Sequence, residues 1–404
     1  MTALQKKDVN PIEHLTPEDV ELIGKELDEI RQGVMDSRGE ADARYIRRVI
    51  DVHRKIELGS RAVLLASGFP PAWIAGTIGL SIAKILENME IGHNILHGQW
   101  DWMRDPKIHS TTWEWDMASP AEQWKHSHNE LHHTYTNVIG KDNDLGYGIM
   151  RVDEDQPWTP MYLGQPLWSF INACFFEYGI AAYDLELGAV IAKKQTGDPE
   201  FRRRAKQVLV KIGRQVRKDY LIHPLLSGPN FVSTLAANFV ANIVRNLWSN
   251  SVILCGHFPE GVETFEKKSI DGETRGEWYL RQMLGSANIS GSKAMHTLTG
   301  NLSHQIEHHL FPDLPSNRYA EIAPKIRDLF ERYGLNYHTA PLPQQVGSAW
   351  HKIIRLSLPN GWLENTTARN LPVQLAKLWK MTTGKPRVRR ALLREQAAMA
   401  AAAA

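Results

Sequence analysis

His126-Ser127-His128-Asn129-Glu130-Leu131-His132-His133 spends half of its positions on imidazole. On a helix, His128 and His132 stand at i and i+4 on one face, and His133 follows about 100° further round. One of the adjacent pair can then serve one metal and its neighbour a second, which a mononuclear site would not need. The pattern recurs in His304-Gln305-Ile306-Glu307-His308-His309, with histidines at i, i+4 and i+5. Further upstream, His93-Asn94-Ile95-Leu96-His97 supplies another i, i+4 pair after an apolar stretch without helix breakers. The three runs offer His93, His97, His128, His132, His133, His304, His308 and His309, too many for one ion. Repetition of the same odd spacing carries this reading, since one i, i+4 pair alone is weak.

Composition narrows the chemistry. The 404 residues contain 17 histidines but only two cysteines, Cys174 and Cys255, so neither a disulfide framework nor a thiolate-rich metal site can form. Any metal must take nitrogen or oxygen ligands. Forty-seven basic against 45 acidic residues give a net charge of +2, which creates no field for nucleic acid. Imidazole sites suit zinc, copper, iron and nickel, but zinc would need only about four ligands. A pair of irons that binds and splits dioxygen accounts better for so many neutral donors, with dicopper and dizinc as the alternatives.

Three stretches point to a membrane. Residues 62–83 and 222–244 are uncharged, the first interrupted by Pro70-Pro71, while residues 163–183 carry the single acid Glu177 and the interface-type aromatics Trp168, Tyr178 and Tyr183. The mean hydropathy of −0.36 makes any membrane part a minority of the mass. Between the second and third clusters, the basic stretch Lys193 to Lys218 belongs on the cytosolic side. That creates a parity conflict if the stretches at 163 and 222 each cross once: a re-entrant element or an extra crossing must exist. The N-terminus lacks the apolar core of a secretory signal. Thr16-Pro17-Glu18-Asp19 predicts the start of a solvated helix. The tail combines Leu375, Leu378 and Trp379 with Lys377, Lys380, Lys385, Arg387, Arg389, Arg390 and Arg394, and reads either as a membrane-surface helix or as a solvated basic tail.

HNILH, HSHNELHH and HQIEHHLFP resemble, in order and spacing, the three histidine boxes of the integral-membrane fatty acid desaturases. The likeness extends over about residues 45–345 and takes in Trp124 before the second box and Leu310-Phe311-Pro312 after the third. It implies an all-α fold: an integral-membrane helical domain with a cytosolic helical cap holding a histidine-rich di-iron site. Residues 1–44 would then form an N-terminal polar helical extension, 45–345 the membrane-bound desaturase domain and 346–404 a C-terminal basic, membrane-surface tail. The active site and both termini would face the cytosol. Gln305 stands where many members have histidine, as in front-end desaturases, with His304 beside it as a substitute. The family also has a histidine near the end of its last membrane helix, for which His257 is the candidate and His296 the competitor. The resemblance thus implies His93, His97, His128, His132, His133, His257, His304, His308 and His309 as ligands of two Fe ions.

By the same resemblance, O2 and two electrons remove two hydrogens from a long-chain fatty acyl substrate carried as a CoA ester or lipid, giving a cis double bond. No haem-binding HPGG segment is present, so the electrons are expected from a separate ferredoxin or NAD(P)H-dependent reductase. Membrane lipids are the other expected partner. Trp100, Trp102, Trp113, Trp115 and Phe311 are candidates for lining an acyl tunnel. Asp101, Glu130, Asp142, Asp144 and Glu307 are near enough in sequence to orient ligating imidazoles. Three other readings compete. Glu90-Ile91-Gly92-His93 and Glu130-Leu131-His132-His133 contain the Glu-x-x-His motif of soluble ferritin-like di-iron proteins, membrane hydroxylases share histidine boxes, and a metal carrier would use histidines without an acyl tunnel.

Overall fold

The computed structural model describes residues 11–142, 144–363, 365–383 and 391–393. Thr16 caps helix α1 (Pro17–Ser37) as its sequence predicts: its hydroxyl accepts the Asp19 amide at 3.1 Å and the Asp19 carboxylate accepts the Thr16 amide at 2.8 Å. The helix is not solvated all round. Ile23, Leu27 and Val34 bury their side chains in a core shared with Ile306, Leu310, Phe311 and Phe330, so α1 backs the third histidine box.

Each uncharged stretch contains a break. Residues 62–83 straddle the turn between α2 (Glu40–Leu64) and α3 (Pro70–Leu86), where Pro70 and Pro71 start a helix whose first-turn amides would have no acceptor within the helix anyway. The two helices form a hairpin whose arms meet closely, because a Cβ on Gly79 would lie 2.2 Å from Ser60 Oγ. Residues 163–183 divide at Phe175 into α4 (Gln165–Cys174) and α5 (Phe176–Asp184). The basic helix α6 (Pro199–Gln215) runs through a π-turn, Val216–Ile222, to a bend at Gly228–Asn230, and α7 (Phe231–His257) returns. The tips of the two hairpins touch, with Ser67 Oγ 2.7 Å from Thr234 Oγ1 and Asn230 Nδ2 donating to Leu65 O at 2.8 Å. Both hairpins therefore leave and return at the same end of the molecule: residues 222–244 form a tip and part of the returning arm, and not one straight helix.

Among the described residues, no helix is long and apolar enough to cross a membrane on its own. The 27 residues of α7 do not qualify because one side of the helix is polar. Its inner side carries Asn238, Asn242, Arg245, Asn246, Ser249 and Asn250, all buried. Arg245 pairs with Glu177 at 2.5 Å, the single acid of the 163–183 stretch, and Asn246 Nδ2 donates to Cys174 O at 3.1 Å. Its outer side exposes Val232, Phe239 and Val244.

Helices α8 (Arg275–Leu284), α9 (Gln305–Leu310), α10 (Tyr319–Arg332) and α11 (Leu342–Leu356) complete the end where the hairpin arms return. A two-stranded parallel pair, β1 (Asn288–Ser290) with β2 (Thr339–Pro341), ties them together, and α12 (Leu371–Thr383) follows. Helix α12 exposes Val373, Leu375 and Trp379. Lys385, Arg387, Arg389, Arg390 and Arg394 lie outside the described residues.

Candidate metal centre

Local backbone geometry departs from the α-helix at two of the three boxes. Glu87–His93 and Lys125–His132 are π-turns, closed i to i+5 instead of i to i+4. Residues four and five apart then bracket one face. His132 and His133 accordingly both return towards His128, with ring centroids 5.0 and 4.9 Å away. In the third box α9 is an ordinary helix, and the His308 and His309 rings lie 5.5 Å apart at 85°, much as His132 and His133 lie 5.4 Å apart at 74°.

The structure gathers eight of the nine expected rings into one buried body. His93, His97, His128 and His308 form one group whose ligand atoms all lie within 4.8 Å of one another, and His132, His257 and His309 form a second. His133 lies between them, 4.7 Å from His97, 4.8 Å from His308 and 4.4 Å from His309, centroid to centroid. His257, chosen from sequence over His296, is thus in the body. His304 is not among these rings. It precedes the first turn of α9, where its backbone (φ −101°, ψ 57°) is not helical, and its ring packs instead on His296 at 4.6 Å. The place beside His257 belongs to Gln305, whose Nε2 lies 3.0 Å from His257 Nε2 and whose Oε1 is buried without a partner.

Hydrogen bonds fix the tautomers. The Nδ1 atoms of His93, His128, His132, His257, His308 and His309 face Asn94 Oδ1, Asp144, Asp142, Gly285 O, Tyr319 Oη and Gln282 Oε1, respectively, at 2.8–3.2 Å. Tyr319 donates its own proton to Phe311 O, so it accepts from His308. With Nδ1 protonated, the lone pair of each ring resides on Nε2. Nε2 of His97, His128, His308 and His309, and both nitrogens of His133, are buried with no hydrogen-bond partner. Orphaned buried acceptors converging from several elements are the donor set that a metal satisfies.

The electrostatics agree. Burial, followed by the neighbouring imidazoles, pushes His97, His128, His133, His308 and His309 well below the ordinary histidine range, so they stay neutral. His132 differs: burial lowers its pKa, but the charges of Asp142 and Asp144 outweigh this and raise it to about 8.

Of the five acids considered from sequence, only Asp142 and Asp144 reach these rings. Asp101 holds Ser110, Glu307 takes Tyr337 and Asn288, and Glu130 pairs at the surface with His126. Glu90 is fully buried but engaged with Tyr45, Ser316 and Asn301. Neither Glu-x-x-His glutamate points into the imidazole body, which removes the ferritin-like reading.

A largely apolar cavity adjoins His93 and His128, walled by Met89, Trp115, Met117, Trp124, Phe176 and Ile180, with Asn88, Asp144 and Tyr147 also in its lining. Trp115 and Trp124 were legible from sequence as a tunnel candidate and as part of the box pattern. The indole of Trp124 stacks on His128 at 4.5 Å. Trp100 and Phe311 are core residues of other clusters, and Trp102 donates to Gln99 O. Met117, Phe176 and Ile180 carry no motif and only the fold reveals them.

Comparison with known proteins agrees with this geometry. The family model described as "Fatty acid desaturase" matches residues 67–341. The chain is 49% identical to the NADPH-dependent stearoyl-CoA 9-desaturase of Mycobacterium tuberculosis over 89% of its own length and 84% of that protein. It is 25% identical to the sn-1 linoleoyl-lipid 6-desaturase of Synechocystis over 69% of its length and 79% of that protein. No solved structure matches. With its imidazole body set against an apolar cavity and the family model covering most of its length, the chain belongs to the fatty acid desaturase family.

Proposed function

We propose that the chain introduces a double bond into a long saturated acyl chain presented as a CoA thioester, using two irons, O2 and electrons that originate from NADPH and pass through a separate reductase. The observation that carries this reading is the pair of buried imidazole groups, with unpartnered Nε2 atoms on His97, His128, His308 and His309, and a largely apolar cavity against His93 and His128 of the first group. The CoA carrier and NADPH are inferred from the name of the relative at 49% identity.

One iron would be held by His93, His97, His128 and His308, the other by His132, His257 and His309, with His133 between them and the Gln305 amide next to the second. Iron supplies the redox change by which dioxygen is activated and two hydrogens leave an unactivated methylene pair. The protein contributes the geometry. Trp115, Met117, Phe176 and Ile180 give this cavity a mainly apolar wall, against which an acyl chain would gain burial beside the His93 and His128 rings. Trp124, stacked on His128, is at once cavity wall and support for a ligand ring.

The two hairpins would sit in the bilayer. Their outer surfaces expose Phe69, Ile74, Leu225, Leu226 and Val232, and Leu226 and Val232 are 71% and 75% accessible. Apolar side chains facing out with asparagines, Arg245 and Glu177 facing in is the arrangement lipid imposes. Because α6 docks beside the second box, with Gln123 Nε2 donating to Gln207 Oε1 at 2.9 Å, its basic residues would place the histidine end in the cytosol.

The test is expression in a host without such an activity, with double-bond mapping of its fatty acids and metal analysis of the purified chain. Product with two irons per chain is expected. Iron without oxygen consumption in the presence of stearoyl-CoA and reductant would overturn the enzymatic reading, as would a hydroxylated product.

A further inference from the structure

Every partner on the outer nitrogens of the imidazole body is neutral except at two rings, and those two come from the same box. His132 Nδ1 lies 3.0 Å from both oxygens of Asp142, and His128 Nδ1 lies 2.8 Å from Asp144 Oδ2. His128 belongs to one group and His132 to the other. Asp144 also approaches His132 Nδ1, at 3.8 Å.

We propose that Asp142 and Asp144 are a charge-compensating pair of positioning residues, one for each metal, which hold the second-box rings in register and set the electron-donating power of both halves. The proposal rests on the metal reading given above. In that reading all the histidine ligands are neutral, so two divalent ions bring uncompensated positive charge into a buried site, where an unbalanced charge is costly. The two aspartates are the carboxylates bonded to the rings of the two groups.

Their own placement is built. Besides His132, the Asp142 carboxylate accepts the backbone amides of Asn137 and Asp144, each at 2.8 Å, and it is 4% exposed. Asn137 reaches the left-handed φ of +57° that turns its amide to the carboxylate, and its side chain locks the position by donating to Glu263 O at 2.8 Å and Gly285 O at 3.0 Å. Gly285 O in turn accepts from His257 Nδ1, so the scaffold of Asp142 also supports a second ring of the same group. Asp144 lies near enough to His128 and His132 to be considered a ligand itself. It contacts both rings on Nδ1, however, the atoms turned away from the unpartnered Nε2 of His128. That places it behind the rings.

The test uses full-length protein carrying Asp142→Asn, Asp144→Asn or Asp142→Glu. An asparagine keeps an acceptor but removes the charge. Each Asn variant is expected to melt like the wild type when both are stripped of metal, to bind iron about 10- to 100-fold more weakly, and to show a more positive midpoint potential in spectroelectrochemical titration. Asp142→Glu should recover the potential better than Asn. A purely structural role would lower the melting temperature of the metal-free chain and leave the potential unmoved. If metal-free Asp142→Asn fails to fold, the more exposed Asp144 decides. Wild-type affinity and potential in the folded Asn variants would overturn the proposal, whereas a wild-type chain that binds no iron would overturn the metal reading instead.

Discussion

The histidine end and the hairpin tips invert each other. At the first, imidazoles are buried in contact and several outer nitrogens are matched to partners from other elements, as His309 is to Gln282 of α8 and Thr136. At the second, Leu225, Leu226 and Val232 stand open while Ser67, Ser233 and Thr234 hydrogen-bond between the tips. In water the second pattern exposes apolar surface without return, and the first buries polar rings whose inner nitrogens stay unsatisfied. Under the proposed function each would find its neighbour, metal for one and lipid for the other. The charged seam between these regions makes the same point: Asp219 takes Arg61 at 2.9 Å and Lys84 at 2.7 Å, binding hairpin to hairpin with paired charge where an unpaired one would be prohibitive.

The most severe way to break the contrast is at the histidine end. His308→Ala removes a ring that touches His93, His97 and His133. Desaturation should fall to the detection limit, at least about a thousandfold, because the group acts as a unit. Iron per chain should drop by at least one ion in metal analysis. Retention of both iron and product would discard this ligand assignment.

A smaller effect is expected in the cavity. Ile180→Phe adds volume beside the rings without touching a hydrogen bond. Turnover of an 18-carbon acyl chain should fall roughly tenfold or more, while iron content stays at the wild-type level and shorter chains are less affected. If all chain lengths lose equally, the residue does not wall the acyl path.

How far sequence alone reaches can be judged from these same residues. His308, His132 and His93 stand out because a set of metal ligands would demand a rare residue at a fixed spacing, and the fold does gather their rings. The capping box at Thr16 and Asp19 is legible for a similar reason, since both bonds close within four residues. What the spacing hides is backbone curvature: nothing in Lys125–His132 declares a π-turn, yet that turn brings His132 and His133 to one face. His304 shows the converse, a matching residue at a matching spacing that the start of α9 leaves outside. Ile180 and Phe176 wall a cavity through long-range packing, and an apolar residue carries no mark of which apolar surface it will meet. The hairpins were legible only as the interruption at Pro70-Pro71 and as the re-entrant or extra element that the basic stretch demanded, because an uncharged stretch does not state where it turns.

At the tips the effect should be on location and not on folding. Leu226→Asp and Val232→Asp place a charge on side chains that no packing confines, so stability in detergent should change by less than about 0.5 kcal/mol. Membrane retention after carbonate washing should nevertheless fall, since an aspartate inside hydrocarbon costs up to about 3 kcal/mol. Unchanged retention in the double variant would remove the tips from the bilayer.

Asp28 offers the mildest test, on a face that belongs to neither extreme. It joins α1 to α8 through Arg275, whose Nε is 3.0 Å away, and through Tyr279 Oη at 2.7 Å, but the two charged side chains are 45% and 61% exposed. Water screens such a pair, so Asp28→Asn should cost only about 0.2–1 kcal/mol. The Arg275 hydrogen bond, acting against partial burial, holds the carboxyl below its ordinary range. A depressed carboxylate contributes above its unfolded pKa of about 4 and loses that contribution as the pH falls further. Melting curves of wild type and Asp28→Asn should therefore differ slightly at pH 7 and converge below about pH 4. A gap that stays the same on acidification would show that the contact works through packing and not through the charge.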